Sequence, residues 1–234
     1  CCSLEHGGAA PVLVDESANF DAMIPRLVKG AFYHAGQVCV SVQRIFVHEK
    51  IKDLFLKEFV DAVSRLKIGD PLDPNTDVGP LIRVKDVDRV LEWIEEAKSS
   101  GGKLLLPVKR LSESVLTPAV IDSPALSVRI STEEVFGPAV CIYGFTDWKQ
   151  VLQTVASEKY AFQASVFTQN LDHALWAAKE LEAGTVLINE QTAFRVDWMP
   201  FAGHKQSGLG VGGIIETMRE LTQEKMIVFN SPYI

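Results

Sequence analysis

Short apolar runs alternate along this chain with longer segments in which apolar residues recur at helical spacing. The short runs predict strands and cover residues 11–14, 44–47, 103–106, 118–121, 140–145, 165–167, 185–189 and 226–229. The longer segments predict amphipathic helices and cover residues 24–32, 51–66, 84–98 and 171–182. This alternation is typical of a layered α/β domain, in which helices cover a sheet.

The first predicted helix has Asn19 or Asp21 as its candidate N-cap and is expected to end near residues 35–36. Pro25 fits this helix only in its first turn, because proline has no backbone N–H to donate. Residues 69–75 combine glycine, proline, aspartate and asparagine, and therefore predict a turn-rich loop. No internal repeat or low-complexity linker marks a second folding unit.

The composition excludes several classes of protein. A chain of 234 residues with 47% apolar and 23% charged residues is neither disordered, collagenous nor coiled-coil. The net charge of −7 argues against a nucleic-acid partner or an anionic membrane surface. No apolar run is long enough to cross a bilayer, and no basic stretch precedes an apolar one near the start. We expect a cytoplasmic protein that binds a small molecule or another protein.

The four cysteines show neither CxxC spacing nor a histidine pair at metal-binding spacing, so we expect no metal site and a reducing compartment. Two of them, Cys1 and Cys2, begin the sequence in place of a methionine, and motif-like sequence follows at once. We therefore expect this chain to be an excerpt of a longer one.

Cys39 is the first candidate for chemistry, because it lies between a predicted helix and a predicted strand, on a loop that rigid elements hold. An unperturbed thiol is only about 3% thiolate at pH 7, so a nucleophile there needs donors or positive potential nearby. Taken alone, a single cysteine in apolar sequence is more often a small buried hydrophobic residue.

Two acidic stretches have a functional and an ordinary interpretation each. Glu5 precedes the turn-forming pair Gly7 and Gly8, and is either a general base or a solvated surface residue. Glu134 and Phe136 precede a Gly-Pro turn, where they offer an acceptor for a ribose hydroxyl and a flat aromatic face. The same stretch also fits a plain connection between a helix and a strand.

The loop before residues 200–210 is rich in aromatic residues and either lines a pocket or folds over the core. The run 208–213 matches G-x-G-x-x-G, but no strand precedes it and no acidic residue follows about 20 positions later. We therefore reject a dinucleotide fingerprint there.

Together, these motifs resemble the aldehyde dehydrogenase superfamily in order and spacing, specifically its C-terminal catalytic half. The matching patterns are L-E-L-G-G, G-Q-x-C, E-E-x-F-G-P and N…P-F-G-G-x-K-x-S-G-x-G. They correspond to residues 4–8, residues 36–39, residues 133–138, and Asn189 with residues 200–210; residues 77–82 are a further family-like segment. The resemblance runs from residue 4 to the C-terminus.

The resemblance implies a role for each candidate residue. Cys39 would be the nucleophile that forms a thiohemiacetal and then a thioester, and Glu5 would activate the water that releases the acid. The backbone N–H of Cys39 would form part of an oxyanion hole. Glu134 would hold the nicotinamide ribose of NAD or NADP, and Phe136 would pack beside the nicotinamide.

The resemblance also implies that Phe201 and Tyr33 line the pocket for a small-molecule aldehyde. The loop of residues 190–199 is individual to this sequence rather than family-like, and from it we expect Arg195 to select an acidic aldehyde. The carboxylate of Glu5 favours a hydrolysing member of the family over a CoA-acylating one. Ala202 departs from the family pattern, since it stands where the first glycine of P-F-G-G is usual.

The largest departure from the family is an absence. Nothing in this chain corresponds to the N-terminal domain that binds most of the dinucleotide and supplies the oxyanion-hole asparagine. Asn189 is a different asparagine, for which we expect a structural role. Without that domain, the isolated chain is expected to be inactive as an oxidoreductase.

We therefore predict that residues 1–221 form a three-layer α/β catalytic domain and that residues 222–234 form an extended tail. The family resemblance implies that such a tail serves oligomerisation, and hence a homo-oligomer in the full-length protein. The predicted function is the catalytic part of an NAD(P)-dependent aldehyde dehydrogenase. Two alternatives stay open: a non-catalytic folding or interaction fragment, and a cysteine-dependent hydrolase with a histidine base.

Overall fold

The computed structural model describes residues 3–233, so Cys1, Cys2 and the last residue of the predicted tail, Ile234, lie outside the described residues. The strands are β1 (Leu4–Glu5), β2 (Ala10–Val14), β3 (Val42–His48), β4 (Lys103–Leu104), β5 (Ala119–Asp122), β6 (Ala139–Phe145), β7 (Tyr160–Ala161), β8 (Gln163–Phe167), β9 (Thr185–Ile188), β10 (His204–Lys205) and β11 (Gly208–Leu209). The α-helices are α1 (Phe20–Phe32), α2 (Glu49–Ser64), α3 (Val84–Ser99), α4 (Arg129–Thr132), α5 (Trp148–Ala156), α6 (Leu171–Glu180) and α7 (Ile214–Glu220).

Seven strands form one central sheet in the order β4-β5-β6-β3-β2-β8-β9. All neighbouring strands are parallel except β4, which pairs with β5 in antiparallel fashion at one edge. Every residue of β2, β3 and β8 is buried. Burial on both faces explains why these strands read as continuous apolar runs in the sequence.

Helices cover both faces of this sheet. Connections between parallel strands are right-handed as a rule, so the strand order places α1, α2 and α3 on one face of the sheet and α5 and α6 on the other. The contacts agree, since α1 packs against α2 and α5 packs against α6. The three-layer α/β fold predicted from the sequence is confirmed.

The amphipathic pattern of α2 shows how the helices attach to the sheet. Phe55, Phe59 and Val63 recur at intervals of four residues and are all buried. The rings of Phe55 and Phe59 stack with centroids 5.4 Å apart. Burying each such side chain stabilises the fold by roughly 1.5–3 kcal/mol, so this one face holds the helix in place.

Helix α1 begins at a predicted cap but differs from the prediction at Pro25 and at its C-terminal end. Asn19 is the N-cap and accepts a hydrogen bond from the backbone N–H of Ala22, so Pro25 lies beyond the first turn rather than within it. The helix tolerates the missing N–H of Pro25 because its apolar face is buried against the core. It ends at Phe32, before the expected residues 35–36, because the 3-10 turn Tyr33–Gly36 reverses the chain.

The strand predicted at residues 226–229 is wrong for this structure. These residues belong to no helix or strand, and their side chains are exposed. A strand forms only where another strand supplies hydrogen-bond partners, and among residues 3–233 none pairs here. The sequence analysis also missed α5, although Asp147 caps it by accepting from the N–H of Gln150 at 2.8 Å.

Within residues 3–233, no helix combines the length and the apolar character that crossing a bilayer requires.

Candidate active site

Cys39 lies in the short connection between α1 and β3. In the 3-10 turn Tyr33–Gly36, which opens this connection, His34 and Ala35 have φ angles of 51° and 55°. Left-handed backbone is uncommon for residues with a side chain, so the turn is tightly constrained. The regular elements on either side hold the loop, as the sequence predicts for a reactive residue.

Gln37 fastens this loop to the family-like segment 77–82. Its side-chain amide donates to the carbonyl oxygens of His34 at 3.0 Å and Pro80 at 3.2 Å. Its side-chain oxygen accepts from the backbone N–H of Ile82 at 2.9 Å. One glutamine therefore joins two motifs that the sequence presents about 40 positions apart.

The thiol of Cys39 is half-buried beside two carboxylates. Burial, and then the nearby carboxylates of Glu5 and Glu134, raise the pKa of Cys39 to about 12, against a weaker lowering by the backbone. At neutral pH the sulfur therefore carries its proton. The structure brings the Cys39 thiol near the Glu5 carboxylate, from which the sequence separates it by a whole helix.

Glu5 is held in place by the segment that follows the aromatic loop. Strand β1 pairs with β11, so that Glu5 lies opposite Gly208, and the backbone N–H of His6 donates to the carbonyl of Ser207 at 2.9 Å. A Cβ atom at Gly208 would collide with the carbonyl oxygen of Leu4. The glycine run 208–213 therefore begins as a strand partner for the candidate base.

Gly7 and Gly8 let three segments of the site approach one another. Gly7 has a φ of 120°, and a Cβ there would lie 2.6 Å from a carboxylate oxygen of Glu134. A Cβ at Gly8 would lie 2.6 Å from the carbonyl oxygen of Cys39. A side chain at either position would push the loops that carry Cys39 and Glu134 away from the Glu5 loop.

Glu134 is half-buried, and its position is set from two sides. Its carboxylate accepts the backbone N–H of Gly8 at 3.0 Å. The buried side chain of Gln43 accepts the N–H of the next residue, Val135, at 3.0 Å. Burial raises the pKa of Glu134, the Gly8 hydrogen bond lowers it, and repulsion from Glu5 raises it further, so the net pKa is above the usual value.

Phe136 follows in a strained conformation, with a φ of 46°, and its side chain is half-buried. The next residue, Gly137, touches the Cys39 loop, because a Cβ at Gly36 would collide with the Gly137 carbonyl. The loop carrying Glu134 and Phe136 is therefore in direct contact with the loop carrying Cys39.

Phe201 belongs to an aromatic wall beside these loops. Its ring lies 4.6 Å from the ring of Phe162, centroid to centroid. Phe162 in turn is close to Gly8, where a Cβ would lie 3.2 Å from its own Cβ. The guanidinium carbon of Arg195, an exposed residue, lies 4.3 Å from the centre of the Phe201 ring. A cation therefore covers the ring that the sequence analysis assigns to the aldehyde pocket.

Tyr33 begins the 3-10 turn that leads to Cys39. Its ring packs against His34 with centroids 4.6 Å apart. Burial, and to a smaller extent the negative charge that Cys39 bears when ionised, raise the pKa of Tyr33. Glu5, Glu134 and Tyr33 thus lie near Cys39, and Phe201 is linked to the same loops through Phe162 and Gly8.

The sequence analysis missed residues that support the site rather than form it. Gln37, Gln43 and Arg44 all flank Cys39 in sequence, and their side chains bond to backbone groups of other site segments. The available signal was a polar and a charged residue, Gln43 and Arg44, inside a strand that is otherwise apolar. Such residues remain buried only when they have partners.

Asn189 takes no part in this cluster. Its side chain accepts from the backbone N–H of Thr168 and donates to the carbonyl of the same residue, both at 2.9 Å. These bonds agree with the structural role expected for it. Among residues 3–233, no group of three histidine, cysteine, aspartate or glutamate side chains is arranged to hold a metal ion.

Comparison with known proteins gives a consistent result. The model of the family described as "Aldehyde dehydrogenase family" matches residues 1–227. The chain is 38% identical over 228 residues to a 3-sulfolactaldehyde dehydrogenase of Priestia megaterium, covering 97% of this chain and 48% of that protein. It is 37% identical over 229 residues to a lactaldehyde dehydrogenase of Methanococcus maripaludis, covering 98% and 49%.

A solved structure agrees with these relatives. The crystal structure of the NADP-dependent glyceraldehyde-3-phosphate dehydrogenase from Bacillus halodurans, complexed with NADP, is similar with a TM-score of 0.91 and 34% sequence identity. That match covers 95% of this chain and 46% of the other. The chain thus spans about half the length of the curated relatives and of the solved structure that it matches.

Proposed function

The chain belongs to the aldehyde dehydrogenase family, and from this premise we propose that it is the catalytic part of an NAD(P)-dependent aldehyde dehydrogenase. In this proposal Cys39 and Glu5 carry the oxidation of an aldehyde to a carboxylic acid. The observation that carries the proposal is the convergence of three segments: Gly8, three residues after Glu5, donates its backbone N–H to the Glu134 carboxylate at 3.0 Å and lies against the carbonyl of Cys39.

The first step follows from the protonation state of Cys39. Because its pKa is raised to about 12, the thiol does not ionise alone at neutral pH and needs a base at the moment of attack. Glu5 takes the proton while the sulfur bonds to the carbonyl carbon of the aldehyde. The carbonyl electron pair moves to the oxygen, which the backbone N–H of Cys39 stabilises as part of an oxyanion hole. The product is a thiohemiacetal on Cys39.

The second half releases the acid. Once the thiohemiacetal carbon has lost a hydride, Cys39 holds a thioester. Glu5, on the exposed strand β1, first releases the thiol proton to solvent and then takes a proton from water as the water oxygen attacks the thioester carbonyl. The C–S bond breaks, the sulfur regains a proton, and the carboxylic acid leaves. One carboxylate thus serves both halves of the reaction, which favours hydrolysis over transfer to a second thiol.

The residues present fit the dinucleotide that this chemistry requires. One oxygen of Glu134 accepts the N–H of Gly8, and the other makes no hydrogen bond with residues 3–233, so it remains an acceptor for ribose hydroxyls. The ring of Phe136 offers a flat face beside it. When bound, NAD or NADP supplies the hydride acceptor. Most of its binding surface would lie outside this chain, in the N-terminal domain that family members possess.

The pocket indicates the class of aldehyde. Phe201 and Tyr33 would line it, and the guanidinium of Arg195 covers Phe201 in an exposed position from which it can pair with an anion. A short aldehyde that ends in a sulfonate, phosphate or carboxylate fits this arrangement. The names of the Priestia and Bacillus relatives mention a sulfonated and a phosphorylated aldehyde, which supports this choice.

The C-terminal tail is the proposed oligomerisation segment. Met226, Ile227, Val228 and Phe229 expose 87%, 68%, 80% and 81% of their surface. Four consecutive apolar residues in this state are an aggregation hazard unless another chain covers them. We assign residues 222–234 to contacts between subunits and residues 1–221 to the catalytic domain.

The decisive experiment compares two cysteine variants in the intact protein. We expect Cys39→Ala to abolish aldehyde-dependent reduction of NAD or NADP, because the reacting atom is lost. Cys141→Ala is the matched control: Cys141 is fully buried in the sheet, and its variant should keep its activity. Substantial oxidation by Cys39→Ala would refute the proposal, and so would the absence of reduction by the wild type with every aldehyde class tested.

A further inference from the structure

Arg44 is a buried charge at the centre of the sheet. It lies in β3, five residues after Cys39, and its side chain is 2% exposed. An unpaired charge in such a position costs several kcal/mol, so its contacts must be strong for the fold to tolerate it. None of the roles assigned above uses this residue.

The Arg44 guanidinium joins two of the site loops through their backbones. Its Nε donates to the carbonyl of Ala9 at 3.1 Å, a second nitrogen also bonds this oxygen, and the third donates to the carbonyl of Ser131 at 3.1 Å. Ala9 directly follows Gly7 and Gly8 on the Glu5 loop. Ser131 precedes Glu134 by three residues.

A third segment reaches the same guanidinium. Glu158 forms an ion pair with Arg44 and follows α5 just before β7. Strand β7 pairs with β10, and Lys205 of β10 donates to the Glu158 carbonyl at 3.2 Å. The chain then continues to Ser207, whose carbonyl holds the N–H of His6. The backbone hydrogen bond beside Glu5 is therefore linked to Arg44 through Glu158, β7 and β10.

We propose that Arg44, with Glu158 as its counter-ion, is a positioning residue that sets the separation of Cys39 from the carboxylates of Glu5 and Glu134. This inference rests on the proposed function of those three residues. The planar guanidinium presents donors in a fixed fork, and so binds two carbonyls and a carboxylate at once. Lysine keeps the charge at this position but not the fork.

Alkylation of Cys39 tests this role without requiring catalysis. We would treat the intact protein with iodoacetamide at pH 8 and follow the Cys39 peptide by mass spectrometry. The two carboxylates raise the pKa of Cys39, so releasing their loops makes the thiol easier to ionise. A pKa lower by one unit gives about tenfold more thiolate. We expect Arg44→Lys to be alkylated roughly three- to tenfold faster than the wild type, in the same direction as Glu5→Gln.

Two controls separate positioning from general stability. Arg65→Lys changes an exposed arginine that pairs with Asp61 on α2, and should alkylate at the wild-type rate. Phe59→Leu weakens the core on α2 and should also leave the rate unchanged at temperatures where it is folded. A rate for Arg44→Lys within about 1.5-fold of wild type, or an equal increase in Phe59→Leu, would overturn the proposal.

Steady-state kinetics provide the second readout. With a substrate aldehyde, we expect kcat of Arg44→Lys to fall at least about tenfold while KM stays within about threefold, because geometry rather than binding is lost. If Arg44→Lys fails to fold, the alkylation rate of Cys39 is measured in Glu158→Gln instead. A rate above that of the wild type supports the proposal, and an unchanged rate refutes it. Should Cys39→Ala retain oxidation, the proposed function fails, whereas the alkylation result still decides whether Arg44 positions the carboxylates.

Discussion

Gly8 donates its backbone N–H to the carboxylate of Glu134, 126 positions later in the chain, at 3.0 Å. The same glycine lies against the carbonyl of Cys39, which a Cβ would approach to 2.6 Å. A single residue without a side chain therefore sets the spacing between the segments that carry the proposed nucleophile, base and ribose ligand. This relationship leads to the first prediction.

Replacing Gly8 with alanine is expected to damage the site more than the fold. The added Cβ must displace the backbone of the Cys39 loop, which costs roughly 1–3 kcal/mol and misplaces the thiol, so kcat/KM should fall at least tenfold. Gly69→Ala is the control, because its Cβ would be 3.7 Å from the nearest atom, an ordinary contact. Equal kcat/KM values for the two variants would contradict this account.

Glu5→Gln should separate the two halves of the reaction. Glutamine cannot accept a proton, but it also removes a charge that raises the pKa of Cys39, so the thiol can still ionise by losing its proton to solvent. Each active site should therefore reduce about one equivalent of dinucleotide, more slowly than the wild type, and then stop as a thioester, because no base activates the water. Rapid-mixing absorbance at 340 nm measures the burst, and mass spectrometry detects the acylated Cys39. Continuous turnover near the wild-type rate would show that Glu5 is not the base.

Arg195→Met should change substrate preference rather than catalytic rate. Methionine retains contact with Phe201 but removes the charge, so KM for an aldehyde with a terminal anion should rise roughly tenfold, equivalent to about 1.4 kcal/mol. An uncharged aldehyde of the same length is the internal control, and its KM should change little. If the KM values of the charged and the uncharged aldehyde rise equally, Arg195 does not recognise the terminal anion.

Glu158 should make the stability of the fold depend on pH. Burial raises the pKa of Glu158 from 4.5 to about 7, against the opposing effects of Arg44 and Lys205. Between these two values the folded chain binds more protons than the unfolded chain, so this group lowers the free energy of unfolding as pH rises through that range. The loss should amount to up to about 3 kcal/mol and level off above pH 7.

Urea unfolding of wild type and Glu158→Gln at pH 5 and pH 8 measures this dependence. The glutamine side chain does not titrate. The free energy of unfolding of the wild type should therefore fall relative to that of Glu158→Gln as pH rises. Glu220→Gln, at an exposed position, is the control and should follow the wild type. A difference that stays constant from pH 5 to pH 8 would contradict the raised pKa.

Most of the central sheet could be predicted from local pattern, because both faces of a parallel sheet are buried and its strands are continuous apolar runs. The strand at residues 226–229 has the same pattern and was predicted wrongly, since pairing depends on a neighbour that a run of residues does not specify. Pro25 shows the same limit for helices. A proline inside a helix removes one backbone hydrogen bond, but burial of the apolar face decides whether α1 forms around it.

The sequence by itself determined the class of fold and, through the family resemblance, the residues that carry the proposed chemistry. The tertiary structure alone places the Glu5 carboxylate near the Cys39 thiol, binds Gly8 to Glu134, and lets Arg44 join the loops behind them. These contacts link backbone and side-chain groups on segments distant in the chain. No local period encodes them, because they exist only after parallel strands have brought the ends of those segments to one place.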